Sequence, residues 1–253
     1  MNKTLSNCLF FIGNKQCPIC NNKFYTYISL PSIYKNNLTK YSFKYSLEDT
    51  ETLNINQYTC PSCDCTDRDR LYKLFWEKKF QNINQNIKYT FIDFAPSKPL
   101  AEYLKNISIL NYRSADLFMK GVDDKVDIQE LPYADNSVDF FNCSHILEHV
   151  NSDIKSLNEL YRILKPKGIG ILMVPIFLTV ETTIEDINEK NENIRWQKFG
   201  QDDHIRLYNK KDYMKRITDA GFILTFIDKN NEQSINYLKS GISEKFVLYI
   251  VSK

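Results

Sequence analysis

Two short cysteine pairs near the beginning of the chain have a residue type and spacing that suit metal binding. Both have the form C-P-x-C, at residues 17–20 and 60–63. This spacing lets both thiolates of a pair face one ion from a tight turn, and two such pairs make a four-sulfur tetrahedral zinc site. Metal binding would supply the folding energy of a small module with little core of its own. The predicted zinc ligands are Cys17, Cys20, Cys60 and Cys63.

A further thiol leaves this ligand set open. Cys65 follows Cys63 by two residues and could replace it, although a C-x-x-C pair is the simpler geometry. Four thiolates leave no free coordination position, so the predicted zinc is structural. Disulfides are the alternative, but the chain shows no export signal, and a reducing compartment favours metal-binding cysteines. Cys8 and Cys143 are interpreted as small apolar side chains.

From residue 88 onward, apolar runs of strand length alternate with segments of helical period. This pattern predicts an α/β fold with a mostly parallel sheet covered by helices. The predicted strands include residues 89–94, 138–143, 169–174, 222–227 and 246–251, the last two paired as an antiparallel terminal hairpin.

Acidic residues recur after successive predicted strands, at Asp93, Asp116 and Asp127. In an open α/β sheet, ligands bind at the carboxyl ends of the strands, and an acid ending the second strand can accept hydrogen bonds from both ribose hydroxyls. Asp116 fits that place, and Leu117 and Phe118 could wall an adenine ring. A single aspartate of this kind is more often a cap or a solvated loop residue, but their recurrence favours a binding site.

Three motifs, in sequence order, resemble class I methyltransferases that depend on S-adenosylmethionine (SAM). They are D-I-Q-E-L-P-Y-A-D-N-S-V-D-F at 127–140, H-I-L-E-H-V at 145–150 and E-L-Y-R-I-L-K-P-K-G at 159–168. The chain is also similar to a subgroup found among surface-polysaccharide genes. That subgroup has two C-P-x-C knuckles, a first strand ending in F-A-P and a later F-G-Q-x-D-H-x-R-x-Y, here F-A-P-S at 94–97 and F-G-Q-D-D-H-I-R-L-Y at 199–208.

The resemblance implies a Rossmann-like sheet, SAM as cofactor and methyl transfer as the activity. It also implies that Asp93, Phe94, Ala95 and Pro96 border the methionine part of SAM, that Asp116 binds the ribose, and that Asp127 and Ile128 border the adenine. Leu117, Ser144 and His145, which also lie at strand ends, complete the predicted cofactor-binding set.

The loop after the first predicted strand departs from the usual E-x-G-x-G-x-G pattern. No glycine occurs between Gly13 and Gly121. Ala95 is small enough for the close approach that glycine normally permits. Because alanine adopts positive φ only at a cost, we expect this loop to follow another path, with Pro96 stiffening it.

Transfer of a methyl group to a hydroxyl requires an aligned acceptor and a base for its proton. Histidine is the natural base near neutral pH. His204 ranks first because it lies in an expected lid at about 176–210, where Arg206 would hold an anionic or polar acceptor. His145 ranks second, and His149 is interpreted as a structural hydrogen-bonding residue.

The predicted organisation is a zinc-binding module with a linking helix at 1–80 and a methyltransferase domain at 81–253. Thirty-three basic and 31 acidic residues leave a formal charge of +2, which is too balanced to indicate a nucleic-acid or membrane partner. No apolar run reaches the length of a membrane helix, so a cytoplasmic enzyme is expected. The oligomeric state is not predicted.

The leading functional hypothesis is O-methylation of a small-molecule or carbohydrate-like acceptor, including phosphate-bearing sugars, linked to polysaccharide or capsule modification. One alternative is a zinc-containing RNA methyltransferase that grips RNA through basic residues such as Arg68 and Arg70. Another is a SAM-binding scaffold without activity. The H-x-x-E-H at 145–149 also matches inverted zinc peptidases, but that motif requires a long helix, and here a predicted strand runs directly into it.

Overall fold

The computed structural model describes residues 13–232 and 234–253 of the chain, so Cys8 lies outside the described residues. The strands are β1 Lys15–Gln16, β2 Lys23–Phe24, β3 Tyr89–Phe94, β4 Leu110–Asp116, β5 Asp124–Lys125, β6 Val138–Ser144, β7 Leu164–Met173, β8 Ile184–Glu185, β9 Arg206–Leu207, β10 Ile223–Asp228 and β11 Val247–Ser252. The α-helices are α1 Ser32–Lys40, α2 Asp67–Gln81, α3 Lys98–Lys105, α4 Asp153–Ile163, α5 Glu192–Phe199, α6 Lys210–Asp219 and α7 Tyr237–Ser240.

The central sheet has seven strands in the order β10-β11-β7-β6-β3-β4-β5. Strands β3 to β7 pair in parallel, whereas β11 is antiparallel to both β7 and β10. The predicted mostly parallel sheet and its antiparallel terminal hairpin are therefore confirmed. Because β3 and β6 are adjacent and parallel, their carboxyl ends lie side by side at one edge of the sheet.

The chain enters β7 earlier than the sequence pattern predicts. Helix α4 ends at Ile163 and β7 begins at Leu164, which pairs with Val138. The register then shifts before Ile169 pairs with Phe140. Lys167, with φ of +69°, lies in the displaced segment, so the P-K-G sequence forms an irregularity within the strand and not a separate loop.

Helix α2 links the cysteine-rich region to the sheet. Thr66 begins the helix as its N-cap in a capping box with Asp69. Trp76 is fully buried, and its Nε1–H donates to Asn142 Oδ1 at 2.7 Å on β6. The ring contacts Phe91 and Phe140 edge-on. The predicted boundary at residue 80 thus falls in a helix that is part of the core of the sheet.

The residues between the two cysteine pairs lie over the insertion that follows β7. The Glu51 N–H donates to the Ile176 carbonyl at 3.0 Å, and the Leu178 N–H donates to the Asp49 carbonyl at 2.9 Å. The rings of Phe43 and Phe177 pack edge-on with centroids 5.3 Å apart. These contacts make one cover over the carboxyl end of β7.

Among the described residues, no helix combines the length and apolar character needed to cross a bilayer.

Candidate active site

The loop after β3 contains Ala95, the residue that replaces the usual glycine. Ala95 has φ of +50°, and its N–H donates to the Ala115 carbonyl at 2.9 Å. The expectation that this loop avoids positive φ is therefore wrong. Strand β3 pairs with β4 up to Phe94, opposite Ala115, and the chain must turn sharply there to begin α3. The left-handed conformation makes that turn, at a cost of about 1–2 kcal/mol for a residue with a Cβ.

Replacing Ala95 by glycine is expected to stabilise the protein by about 0.5–1 kcal/mol, because glycine removes the left-handed strain but loses more entropy on folding. Ala95→Val is expected to destabilise it by about 1–3 kcal/mol, since a β-branched residue is poorly tolerated there. Urea unfolding measures both changes. Ala101→Gly, inside α3, is the matched control and is expected to destabilise by about 1 kcal/mol. Similar losses for Ala95→Gly and Ala101→Gly would contradict this account.

Asp93 ends β3 as a buried carboxyl group. Its Oδ1 accepts from Asn142 Nδ2 at 3.0 Å, and its Oδ2 accepts from the Tyr112 hydroxyl at 2.9 Å. Burial raises the pKa of Asp93 to about 7, although the two hydrogen bonds lower it in part. Two donors on opposite sides fix the carboxyl plane. A cationic ligand would favour its ionised form.

This raised pKa predicts a pH dependence of stability. The folded protein keeps the Asp93 proton up to about pH 7, whereas the unfolded chain loses it near the ordinary value of 3.8, so the folded state binds more protons in that window. The free energy of unfolding is therefore expected to fall as pH rises from about 4 to 7, by up to roughly 1.4 kcal/mol per pH unit. In Asp93→Asn this part of the pH dependence of the free energy of unfolding is expected to be absent. Urea unfolding of both proteins across this range measures it, and parallel pH profiles would refute it.

A cavity of about 270 Å³ lies where β3 and β6 end. Five of the predicted cofactor residues line it, namely Asp93, Phe94, Ala95, Ser144 and His145. The opposite wall comes from the first turns of α2. A cavity open to a ligand, and not filled by side chains, is what the predicted cofactor site requires.

The wall supplied by α2 is joined to the strand ends by hydrogen bonds. The hydroxyls of Tyr72 and Ser144 lie 2.7 Å apart, and Ser97 donates to Asp69 Oδ1 at 2.7 Å. The sequence does not predict that these α2 residues belong to the cofactor site. The only signal available was the capping box at Thr66, which places the polar first turn of a helix beside the strand ends.

The remaining predicted cofactor residues do not line this cavity. Asp116 ends β4, and its Oδ1 accepts from the backbone N–H groups of Phe118 and Met119 at 2.7 and 2.6 Å. These bonds fix the turn through one carboxylate oxygen. Phe118 is 83% exposed on that turn. The other residues of this group are Pro96, Leu117, Asp127 and Ile128, and their contacts with SAM stay predictions.

A second cavity, of about 160 Å³, adjoins the first, and Arg68 and His145 line both. Its wall combines the segment between the cysteine pairs with the insertion after β7. Most of the lining is apolar: Leu30, Leu38, Leu47, Leu53, Met173, Val174, Pro175, Ile176, Phe177 and Phe199. The Arg68 guanidinium forms no salt bridge within the described part of the chain, although the nearby Asp67 and Asp69 carboxylates raise its pKa.

His145 is held at the junction of the two cavities. It has φ of +57°, and its N–H donates to the Met173 carbonyl at 2.8 Å. Its Nδ1 lies 3.2 Å from Oε1 of the fully buried Glu148. Burial and the nearby Arg68 charge together lower the pKa of His145 to about 4, although the Glu148 carboxylate raises it in part, so the ring is neutral near pH 7.

His204 lines the second cavity as predicted for a residue of the insertion, but it is only 4% exposed. Its ring packs edge-on against that of His149, with centroids 4.7 Å apart. His149 Nδ1 lies 3.5 Å from Asp203 Oδ2. The segment that carries His204 therefore lies directly on the residues that follow β6.

Arg206 does not face the second cavity, and this corrects its predicted role as an acceptor ligand. The side chain is 2% exposed, and Nε donates to Glu185 at 2.5 Å. Nη1 donates to the Leu147 and Val150 carbonyls at 2.6 and 3.2 Å. The arginine instead joins β9 to the turn after β6. Sequence spacing could not reveal this because every partner lies more than 20 residues away.

Five sulfurs converge in the N-terminal module. Cys17 Sγ lies 3.4 Å from Cys65 Sγ and 3.8 Å from Cys63 Sγ, and Cys20 Sγ lies 3.9 Å from Cys60 Sγ. All are free thiols. Zinc–sulfur bonds of about 2.3 Å place tetrahedral sulfurs about 3.8 Å apart, so the donor set suits zinc. The four sulfurs that all lie within 4.8 Å of one another belong to Cys17, Cys60, Cys63 and Cys65, so this group includes Cys65 in place of the predicted ligand Cys20.

The Arg70 guanidinium is buried and hydrogen-bonded within the protein, so it cannot contact nucleic acid. The side chain is fully buried, and its guanidinium donates to the carbonyls of Tyr58 and Cys65 in the cysteine module at 3.0 and 3.2 Å. It also donates to the carbonyls of Ser240 and Gly241 at the end of α7, at 2.7 and 2.9 Å. The RNA-binding alternative therefore loses one of its two named basic residues.

A match to a known protein family agrees with the motifs. Residues 100–172 match a family described as a methyltransferase domain. An uncharacterized protein of Methanocaldococcus jannaschii is 50% identical over 48 residues, which cover 19% of this chain and 21% of that protein.

Solved structures with a similar arrangement include methyltransferases. The CurJ carbon methyltransferase is 12% identical, with a TM-score of 0.47 over 72% of this chain and 53% of that chain. A SAM-dependent methyltransferase of Mesorhizobium loti is 12% identical, with a TM-score of 0.48 over 70% of this chain and 97% of that chain. This chain thus spans about a fifth of the curated relative and about half of the CurJ structure.

Proposed function

We propose that this chain, which matches a methyltransferase domain family over residues 100–172, is a SAM-dependent enzyme that transfers the methyl group of SAM to a hydroxyl of a small molecule bound in the second cavity. The observation that carries this proposal is the meeting of two cavities at Arg68 and His145. The cavity at the ends of β3 and β6 would hold the methionine part of SAM. The adjoining cavity would hold the acceptor.

The charges at the strand ends suit this arrangement. SAM carries a positive sulfonium and a positive amino group, and the Asp93 carboxyl at the first cavity would be held ionised by them. Methyl transfer moves positive charge from sulfur to the acceptor, so the protein chiefly aligns the two reactants and excludes water. The cover formed by the N-terminal segment and the insertion encloses the acceptor side.

The lining of the second cavity indicates the class of acceptor. Its apolar wall favours a molecule with an apolar part, and the unpaired Arg68 charge favours an anionic group such as a phosphate or carboxylate. A volume of about 160 Å³ holds a small acceptor or one end of a larger one. A phosphate-bearing carbohydrate precursor would place its phosphate at Arg68. The link to polysaccharide modification stays part of this proposal.

Of the two histidines predicted as bases, His145 fits the role better because it alone lines both cavities. Glu148, behind Nδ1, would hold the ring orientation and stabilise the imidazolium that forms when Nε2 takes the acceptor proton. His204 lines the acceptor cavity but not the donor cavity.

The first test is calorimetric titration with SAM and S-adenosylhomocysteine, followed by a screen of anionic hydroxyl acceptors with methyl-labelled SAM. In His145→Gln, turnover is expected to fall by about 10²–10⁴-fold, the usual contribution of a general base, while SAM affinity changes by only a few-fold. The control is Lys215→Met on the exposed face of α6, which is expected to leave both unchanged. Absence of SAM binding by the wild type at millimolar ligand would instead support a scaffold. Equal losses of turnover and SAM affinity in His145→Gln would refute its role as base.

A further inference from the structure

We propose that Glu148, His149 and His204 bind one divalent transition-metal ion, at a site separate from the cysteine cluster. One carboxylate oxygen of Glu148 and one ring nitrogen of each histidine lie within 4.8 Å of one another. Metal–ligand bonds of about 2.0–2.2 Å place the ligand atoms of a single ion within about 4.4 Å. The three groups are thus close to coordinating distance without rearrangement of the backbone.

Two of these side chains are buried with polar atoms that form no hydrogen bond of normal geometry among the described residues, although His145 Nδ1 lies 3.2 Å from Glu148 Oε1. Glu148 is 0% exposed and His204 is 4% exposed. Among the described residues, neither Glu148 oxygen nor His204 Nδ1 has a hydrogen bond of normal geometry. Buried polar atoms without partners cost several kcal/mol, and a buried carboxylate costs more unless it is paired or coordinates a metal. A metal ion bound between the two side chains would give each of them a partner.

The backbone holds the two halves of this site together. The Ile205 N–H donates to the Glu148 carbonyl at 3.0 Å. The Tyr208 hydroxyl donates to Asp153 Oδ2 at 2.8 Å and lies 3.3 Å from the Leu147 carbonyl oxygen. Together with Arg206, these bonds keep the segment that carries His204 against the turn that carries Glu148 and His149. The ligands therefore come from two segments far apart in sequence that are fixed before any ion binds.

The donor set indicates the chemical class of the ion. Two imidazoles and a carboxylate suit zinc and neighbouring first-row divalent metals, and do not suit Ca²⁺ or Mg²⁺, which prefer oxygen ligands. Three protein ligands leave a coordination position open, as in metal sites that act on a substrate and unlike the four-thiolate cluster.

His204 lies on the wall of the second cavity, so an acceptor in that cavity could occupy the open coordination position of the ion. An acceptor hydroxyl bound there would lose its proton more readily to His145, because the ion stabilises the resulting oxyanion. This role rests on the proposed methyl transfer to an acceptor in that cavity. Binding of the ion does not depend on that methyl transfer.

Metal content tests the site without reference to activity. The full chain is loaded with excess Zn²⁺, freed of unbound metal by gel filtration, and analysed by mass spectrometry for zinc per chain. The wild type is expected to hold two equivalents, one in the cysteine cluster and one here. Glu148→Gln and His149→Asn are expected to hold one, with affinity for the second ion reduced by at least about 100-fold. Glu51→Gln, which alters another buried carboxylate bonded to Tyr249 and Lys210, is the matched control and is expected to keep two.

Substitution with Co²⁺ shows which of the two sites holds each metal ion, since only the cysteine cluster gives thiolate-to-metal charge-transfer absorption. That absorption is expected to be unchanged in Glu148→Gln and His149→Asn. His149 is partly exposed, so its asparagine variant is the one best able to fold, and a cooperative thermal transition confirms that it has done so. The proposal is overturned if the wild type holds only the thiolate-bound ion, or if the folded His149→Asn variant keeps the second ion with wild-type affinity. Loss of the second ion with intact SAM binding would leave the methyltransferase proposal standing.

Discussion

Cys60→Ser is expected to release the metal from the N-terminal module and unfold that module, with a loss of several kcal/mol of stability. Among the residues that the structure describes, the core of this module consists of five buried side chains: Cys17, Phe24, Tyr27, Cys60 and Cys65. The predicted zinc would supply much of the stability of such a unit, because structural zinc contributes roughly 10–16 kcal/mol of apparent binding energy that is also folding energy. Zinc per chain and thermal unfolding of the purified variant measure the loss.

The effect is expected to extend beyond the module. Arg70 is buried with its N–H groups on module carbonyls, and losing the module would leave that charge unsatisfied. Helix α2, which also carries Arg68 and Tyr72 of the first cavity, would then lose its N-terminal support. We therefore expect Cys60→Ser to weaken SAM binding, and treatment of the wild type with a chelator to do the same.

Cys143→Ser is the matched control, because this buried thiol lies on β6 outside the cluster and its loss is expected to leave the thiolate-bound metal in place. Comparison of Cys20→Ser with Cys65→Ser then shows which of these two thiols is the fourth ligand. Full metal content and an unchanged melting temperature in Cys60→Ser would rule out a zinc-dependent module.

Arg206→Met is expected to destabilise the protein by about 3–5 kcal/mol. The guanidinium is buried, bonded to Glu185 and to the Leu147 and Val150 carbonyls, and lies 3.8 Å from Asp153. Removing one partner of a buried charge network leaves the others desolvated and uncompensated, which costs far more than the pair itself contributes. The neighbouring carboxylates retain Arg216 as a second cation, so the loss is expected to be partial and not complete unfolding.

The same substitution at an exposed ion pair provides the comparison. Lys198 pairs with Asp186 at 2.8 Å, with 39% and 36% of the two side chains exposed. Lys198→Met is expected to cost less than about 1 kcal/mol. Urea unfolding of both variants gives the difference, and equal costs at the two sites would show that Arg206 does not act through burial. Because Arg206 positions the segment of His204, its loss is also expected to lower occupancy of the proposed second metal site.

The sequence identified the strands well wherever hydrophobic runs were long and bounded by turn residues. Strand β3 occupies the predicted residues 89–94, and the final two strands lie within one residue of their predicted bounds. The boundary between α4 and β7 was less accurate. There the helix and the strand join without a loop, and proline and glycine mark a strand irregularity instead of a break.

The single largest error of local interpretation concerned Ala95. The sequence rule that alanine avoids positive φ describes an intrinsic preference of about 1–2 kcal/mol. Pairing of β3 with β4 and packing of α3 determine the path of the chain there and exceed that preference. The conformational propensity of a single residue does not include these energies of strand pairing and helix packing.

The type and order of residues along the chain were sufficient to indicate a parallel sheet, a methyltransferase domain and a clustered set of cysteines, because periodicity, strand-end acids and C-x-x-C spacing are local properties. The tertiary structure decided what these residues face. It buried Arg206 and Arg70 in the framework, placed His145 between two cavities, and brought His204 to Glu148 and His149. Such contacts join segments tens of residues apart, and the energy that selects them comes from packing and desolvation, which sequence spacing does not encode.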